Sequence, residues 1–287
     1  MLRRKGWVMF AAGVAAGIAT TGLVGPLAAE KQDKAPGASN PRELALESNL
    51  YMQHGAEYRA CCLQAYRLAA DRLRGKLTAG VGEGVKPPAV VLDLDETVLD
   101  NGCFQSFLDR ERLNYEDSWW DQWEENWPEE VRLVPGAAGF LELAERSGVK
   151  VFFITNRHER FRSSTLKALQ NLGIAAPGVA DRLLLKTDTS DKTRRRRSVE
   201  KDHRVLLYVG DQLRDFSEEF IAAKDATTAE KRLAGIASRN AKVDARAARF
   251  GDDWIVLPNP SYGEWQKLHG SDPRSMLRPT KMAVKNG

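Results

Sequence analysis

The residues most suited to chemistry in this chain are four aspartates, a threonine and a lysine, placed at or near the ends of strand-like segments and at the start of the helix before one of them. Residues 89–94 form a short apolar run that leads into Asp93-Leu94-Asp95-Glu96-Thr97. A second apolar run ends in Thr155-Asn156-Arg157, and another ends in Gly210-Asp211, with Asp215 one helical turn further on. Lys192 precedes that last run. This set suits phosphoryl transfer. An aspartate can attack phosphorus and carry the phosphate covalently. A second carboxyl two residues on can give a proton to the leaving alcohol and later take one from water. Thr155 and Lys192 supply hydrogen bonds and positive charge to the transferring oxygens. A carboxylate facing a phosphate dianion needs a cation between them, and Mg²⁺ suits oxygen ligands.

Any one of these pieces alone is weak, because an aspartate after a strand is often only a helix cap. Their combination in chain order, each at or near a strand end, carries the weight, since open α/β sheets bind ligands beyond the carboxyl ends of their strands. The elements that must position them follow from periodicity. Asn40-Pro41 is a helix-start signal, and residues 44–77 carry an apolar helical stripe through Leu46, Leu50, Tyr58, Cys62, Tyr66, Ala69 and Leu73, as one long helix or two shorter ones. Strands are expected at 89–94, 149–154, 182–185, 205–209 and 254–257, with helices at 135–146, 158–172 and 192–200. Strands alternating with helices imply an α/β fold, a Rossmann-like parallel sheet with helices on both faces. It carries an N-terminal helical extension over residues 43–84 and a small Trp-rich cap insert over 101–134 within a domain spanning 85–287.

The residues quoted above, together with Leu50 to Ala60, Trp119 to Trp123, Ser190-Asp191-Lys192 and Pro258-Asn259-Pro260-Ser261-Tyr262-Gly263-Glu264-Trp265, resemble the haloacid-dehalogenase superfamily. Within it the chain is similar to the class C nonspecific acid phosphatases, the bacterial 5′-nucleotidase lipoprotein family. The resemblance covers roughly residues 45–270. It implies Asp93 as nucleophile and Asp95 as general acid and base. It implies Mg²⁺ held by Asp93, the Asp95 backbone carbonyl, Asp211 and Asp215, and phosphate held by Thr155, Asn156 and Lys192. Lys186 is the rival for the lysine role. The resemblance also suggests nucleobase stacking on Tyr262, small phosphomonoester substrates including nucleoside 5′-monophosphates, and a homodimer. Gln212 stands where the family usually has Asn, and the family's lipid-carrying Cys is missing. A phosphotransferase would use the same aspartyl phosphate. A non-catalytic surface binding protein on this scaffold would not be expected to keep both Asp93 and Asp95, and a dehalogenase does not need the second.

Composition bounds what remains. The 287 residues are 43% hydrophobic and 29% charged, which suits a globular core, and the net charge of +4 is too mild for a nucleic-acid polymer as partner. Residues 1–5 are basic, 7–27 carry no charge, and Leu27-Ala28-Ala29 ends in small residues. This reads as a signal peptide over 1–29 or an uncleaved anchor, followed by a polar linker over 30–42. Either places the domain outside the cytoplasm, with any membrane attachment through that segment alone. The run Arg194 to Arg197 reads as a solvated helix face. His54, His158, His203 and His269 fit no metal-ligand spacing and read as structural or surface residues. The tryptophans of the insert read mostly as packing for a small cap. Cys61, Cys62 and Cys103 read as structural thiols, with a bridge from Cys103 to one of the pair left open.

Overall fold

The computed structural model describes residues 41–78, 86–174 and 177–278; side chains are described from residue 45. The expected signal or anchor lies outside these residues, as does all of the expected linker except Pro41 and Arg42. Among the described residues no helix is long and apolar enough to cross a membrane. In chain order the elements are α1 (Pro41–His54), α2 (Ala56–Thr78), β1 (Pro88–Leu92), β2 (Leu99–Asp100), α3 (Gly102–Arg110), α4 (Asp117–Asn126), β3 (Arg132–Leu133) and α5 (Ala137–Arg146). They continue with β4 (Lys150–His158), α6 (Arg162–Asn171), β5 (Leu183–Lys186), α7 (Thr193–Asp202), β6 (Arg204–Gly210), α8 (Ala229–Ala245) and β7 (Trp254–Val256).

Five strands form a parallel sheet in the order β5-β4-β1-β6-β7. The alternation of side chains along a strand splits β1 between two cores. Val90 and Leu92 pack with Tyr66, Phe140 and Leu169 on the face covered by α2, α5 and α6. Ala89 and Val91 pack with Phe152, Val199, Tyr208, Phe216 and Trp254 on the other. β1 is central because both of its faces and both of its edges are covered, which a continuous apolar run requires.

Several boundaries differ from the sequence expectation. β1 stops at Leu92, so Asp93 is the first residue beyond the sheet. β4 runs on through Thr155, Asn156 and Arg157 to His158, where a register irregularity lets His158 pair with Lys186. The following helix therefore starts at Arg162 instead of His158. α8 is a further element beyond the expected ones; it has no fully buried residue and meets the core only through a half-buried face that includes Ile236 and Val243, a sparse stripe interrupted by Arg239 and Lys242.

The insert between β1 and α5 is closed at its base by the antiparallel β2–β3 pair, Leu99 opposite Leu133 and Asp100 opposite Arg132. Phe104 on α3 is its packing centre, with ring centroids 5.1 Å from Trp120, 5.9 Å from Trp123 and 6.4 Å from Tyr115. The N-terminal extension is built into the domain. The Tyr66 hydroxyl, on α2, donates to the Thr97 carbonyl at 2.6 Å, so this helix holds the loop that carries Asp93 and Asp95. Gly136 permits the contact: its φ is +95°, and a Cβ there would lie 3.0 Å from Tyr66. Cys61, Cys62 and Cys103 are free thiols.

Replacing Tyr66→Phe keeps the ring and strands a buried carbonyl, at a cost of about 1–3 kcal/mol. Equilibrium denaturation should show a lowered midpoint with an unchanged slope. An unchanged midpoint would mean that the hydroxyl does not hold the loop.

Candidate active site

At the carboxyl ends of β1 and β6 the chain brings Asp93, Asp211 and Asp215 together, all buried, with one oxygen of each within 4.8 Å of the others. Each is placed by a local device. The Asp93 amide donates to the Val209 carbonyl at 3.0 Å, which carries the β1–β6 ladder one residue past the strand. Asp215 sits on a 3-10 turn, and its Oδ2 accepts from the Gln212 backbone at 2.9 Å. Gly210 is required there, because a Cβ would lie 2.8 Å from the Asp215 Cγ. Asp211 accepts from Thr97 Oγ1 at 3.2 Å, Gln212 Nε2 at 2.9 Å and Asn259 Nδ2 at 2.8 Å.

Lys192, just before α7, reaches into this cluster. Its ammonium donates to Asp93 Oδ1 at 2.5 Å and to Asp215 Oδ1 at 2.7 Å. Burial opposes its charge, but Asp215 and Asp93 outweigh that and raise its pKa. Burial also pushes Asp93 well above the usual carboxylate range, opposed by Lys192 and reinforced by Asp215 and Asp211. Asp211 is pushed up to about 6, first by burial and then by Asp215. Carboxylates thus outnumber the cation that touches them. An all-oxygen, strongly anionic cluster fits a hard divalent cation. Lys186, the rival lysine, lines the same cleft from the end of β5, opposite His158.

Asp95 points elsewhere. Its Oδ1 accepts from the Arg157 guanidinium at 2.8 Å and from Asn101 Nδ2 at 3.0 Å, and its Oδ2 from the Thr155 hydroxyl at 3.3 Å. Its carboxylate is not a member of the Asp93–Asp211–Asp215 cluster. Thr155 is fully buried, and its oxygen also accepts from the Arg157 amide at 3.1 Å. Asn156 lines the cleft while its Oδ1 accepts from Arg195 at 2.8 Å.

These groups open into a cleft of about 600 Å³. One wall is Asn156, His158, Lys186 and Ser190; the cap contributes Tyr115, Asp117, Trp120 and Asp121; the loop after β7 contributes Tyr262. Of the insert's tryptophans, Trp120 is the one that lines the cleft, while Trp123 is buried beneath it and Trp127 is exposed on the outside. Gln212 holds Tyr262 in place, donating to its carbonyl at 3.1 Å. Glu124 latches the cap to β4: it accepts from Trp120 Nε1 and from the His158 amide at 3.2 Å, and burial raises its pKa to about 7.

The reading of residues 194–197 as a solvated helix face holds for only half of the run. Arg194 and Arg197 are exposed, but Arg196 is buried and caps the Arg214 and Asp215 carbonyls at 3.1 and 3.2 Å, and Arg195 holds Thr155 and Asn156 at the end of β4. α7 packs against the sheet, so two of its four arginines face inward. His158, half-buried at the end of β4, lines the cleft with Lys186. The sequence reading gave no role to Arg157, Asn101, Gln212 or Asn259. The first lay inside the Thr-Asn-Arg signal, but its partners are 56 and 62 residues away, beyond any local pattern.

A family model for the HAD superfamily, subfamily IIIB (Acid phosphatase), matches residues 20–265. The chain is 30% identical to the class C acid phosphatase from Bacillus anthracis, covering 81% of this chain and 91% of that one with a TM-score of 0.69. The same values hold for that class C acid phosphatase with tungstate bound. It is also 33% identical over 135 residues to Acid phosphatase 1 from Solanum lycopersicum, 44% of this chain and 50% of that protein. The chain thus spans about half the length of this curated relative.

The charge excess sets a pH dependence for the chelated protein. Asp211 in the folded state keeps its proton up to about 6, above its ordinary 3.8. A raised folded-state pKa stabilises the fold below the unfolded value, and that stabilisation is lost as pH rises through the folded one. With metal removed, the thermal midpoint should therefore fall between pH 4 and pH 6, and Asp211→Asn should flatten that fall. Equal slopes in both proteins would show that Asp211 does not carry it.

Proposed function

We propose a function from the premise that this chain belongs to subfamily IIIB of the HAD superfamily, the acid phosphatases: it hydrolyses phosphomonoesters, nucleoside 5′-monophosphates among them, through a phosphate carried on Asp93. The observation that carries this reading is the Lys192 ammonium bridging Asp93 and Asp215 at the floor of an open cleft. An ammonium has three donors. Two are occupied by the carboxylates, and the third is available to a phosphate oxygen. The tungstate bound to the Bacillus anthracis enzyme supports the reading, because tungstate is a tetrahedral oxyanion like phosphate.

In the first step an Asp93 oxygen attacks phosphorus. The new carboxylate–phosphorus bond forms as the ester P–O bond breaks, and the departing alkoxide takes a proton from Asp95. In the second step Asp95 takes a proton from water, whose oxygen attacks phosphorus and returns Asp93 as a carboxylate with inorganic phosphate. Asp93, Asp211, Asp215 and the Asp95 carbonyl would hold Mg²⁺, which supplies the positive charge that lets an anionic ester approach an anionic nucleophile. Lys192 orients Asp93 before the attack. Trp120 and Tyr262 line the same cleft, where a flat base of the leaving group can stack.

Chelation should abolish phosphate release from AMP and from glycerol phosphate, and Mg²⁺ should restore both. Full turnover after exhaustive chelation, with metal absent by elemental analysis, would exclude a metal requirement. Base stacking on an aromatic side chain is worth about 1–3 kcal/mol. Tyr262→Ala should therefore lower kcat/KM on AMP by roughly ten- to hundredfold and leave glycerol phosphate nearly unchanged. Equal losses on the two substrates would make Tyr262 structural and remove the argument for nucleotides.

A further inference from the structure

We infer that Arg157 is the positioning residue of Asp95: with Asn101 it occupies one oxygen of that carboxyl group and so decides which oxygen carries the proton given to the leaving alcohol. The inference rests on the reading of Asp95 as proton donor. Arg157 is 1% exposed, and a buried guanidinium is costly unless its donors are matched. Its Nε donates to Asp95 Oδ1 at 2.8 Å and its Nη2 to Asn101 Oδ1 at 2.9 Å, and the Trp120 ring lies 5.7 Å from its central carbon.

Asn101 is fixed from every side. Its Oδ1 accepts from Arg157 and from Trp123 Nε1 at 2.9 Å, while its Nδ2 donates to Asp95 Oδ1 at 3.0 Å and Glu96 Oε1 at 3.1 Å. Two donors facing Oδ1 and two acceptors facing Nδ2 leave the amide a single orientation. Glu96, which makes this possible, is buried at a φ of +56°, a left-handed conformation that a non-glycine residue adopts only under constraint. Two N–H donors therefore converge on Asp95 Oδ1. A protonated carboxyl has one O–H, and an oxygen already accepting two N–H bonds is the wrong one to carry it. The proton belongs on Oδ2, whose partner is the Thr155 hydroxyl at 3.3 Å. Trp123 belongs to the cap, so the cap and the acid are tied through one asparagine.

The test reads the identity of the leaving group. An alkyl alkoxide needs a proton as it departs, whereas p-nitrophenolate leaves without one. kcat/KM covers the steps through alcohol release, so misplacing Oδ2 lowers it more on glycerol phosphate than on p-nitrophenyl phosphate. A merely structural role lowers the active fraction and leaves the ratio of the two unchanged. General acid catalysis contributes typically 10²–10⁴-fold. Arg157→Gln should therefore widen the ratio by roughly ten- to hundredfold, Arg157→Lys by less, and Asp95→Asn by at least as much as Arg157→Gln. Where Arg157→Gln fails to fold, Trp123→Phe, which removes the indole donor to Asn101 and keeps an aromatic ring against Phe104, should shift the ratio in the same direction by a smaller factor. A split for Asp95→Asn with an unchanged ratio for Arg157→Gln, or for Trp123→Phe in its place, overturns the positioning role and leaves Asp95 as the acid. Equal losses on both esters for Asp95→Asn itself overturn the acid and the inference together.

Discussion

The ammonium of Lys192, wedged between Asp93 and Asp215, is the interaction on which the rest of this structure depends. Carboxylates gathered beyond one sheet edge repel each other, and burial strengthens that repulsion. A single buried cation relieves part of it, and Asp93 and Asp211 nevertheless stay above the usual carboxylate range. The remaining devices manage what is left. Thr97, Gln212 and Asn259 donate to Asp211, the Gln212 amide donates to Asp215, and Arg157 and Asn101 take up Asp95. Taking one of these groups away would leave a buried charge or donor without its match, which costs more than the pair gains.

That arrangement explains the topology. Asp93 follows β1, Asp211 follows β6, and these strands are neighbours at the centre of the sheet. Lys192 must arrive from outside the sheet, and α7 delivers it by packing Val199 onto the face formed by β1, β4 and β6. The cleft then needs walls. α3 and α4 form one around an aromatic centre, and the loop after β7 forms another. The buried Asn49 on α1 joins the two, bonding to Asp109 of the cap at 2.5 Å and to Ser261 beside Tyr262 at 2.5 Å. The N-terminal helices are thus part of the site's frame.

What the sequence disclosed and what it hid divide along contact distance. Asp93 and Asp211 were legible because strand ends are visible as the close of apolar runs and the chemistry requires their residue type. Lys192 precedes a helix, and only the family resemblance favours it over the strand-end Lys186. Tyr262 was legible only through its motif. Arg157 and Asn101 were not assigned roles: the bond between them spans 56 residues, Arg157 reaches Asp95 across 62 and Trp123 reaches Asn101 across 22. The four arginines of α7 looked uniform, although packing sends Arg195 and Arg196 inward and leaves Arg194 and Arg197 outside. α8 is faint in the sequence because its inward face is only half-buried and mixes Ile236 and Val243 with Arg239 and Lys242. The end of β4 was misjudged because the pairing of His158 with Lys186 across a register irregularity leaves no trace in hydrophobicity.

The central claim is that Asp93, held by Lys192, takes the phosphoryl group onto its own carboxylate. Borohydride added during steady turnover reduces an acyl phosphate to an alcohol and leaves a free carboxylate alone. Peptide mass spectrometry of the reduced protein should find the altered side chain at position 93 and at no other aspartate. Reduction at Asp95, Asp211 or Asp215 instead, or no reduced aspartate under conditions of full turnover, would contradict the account.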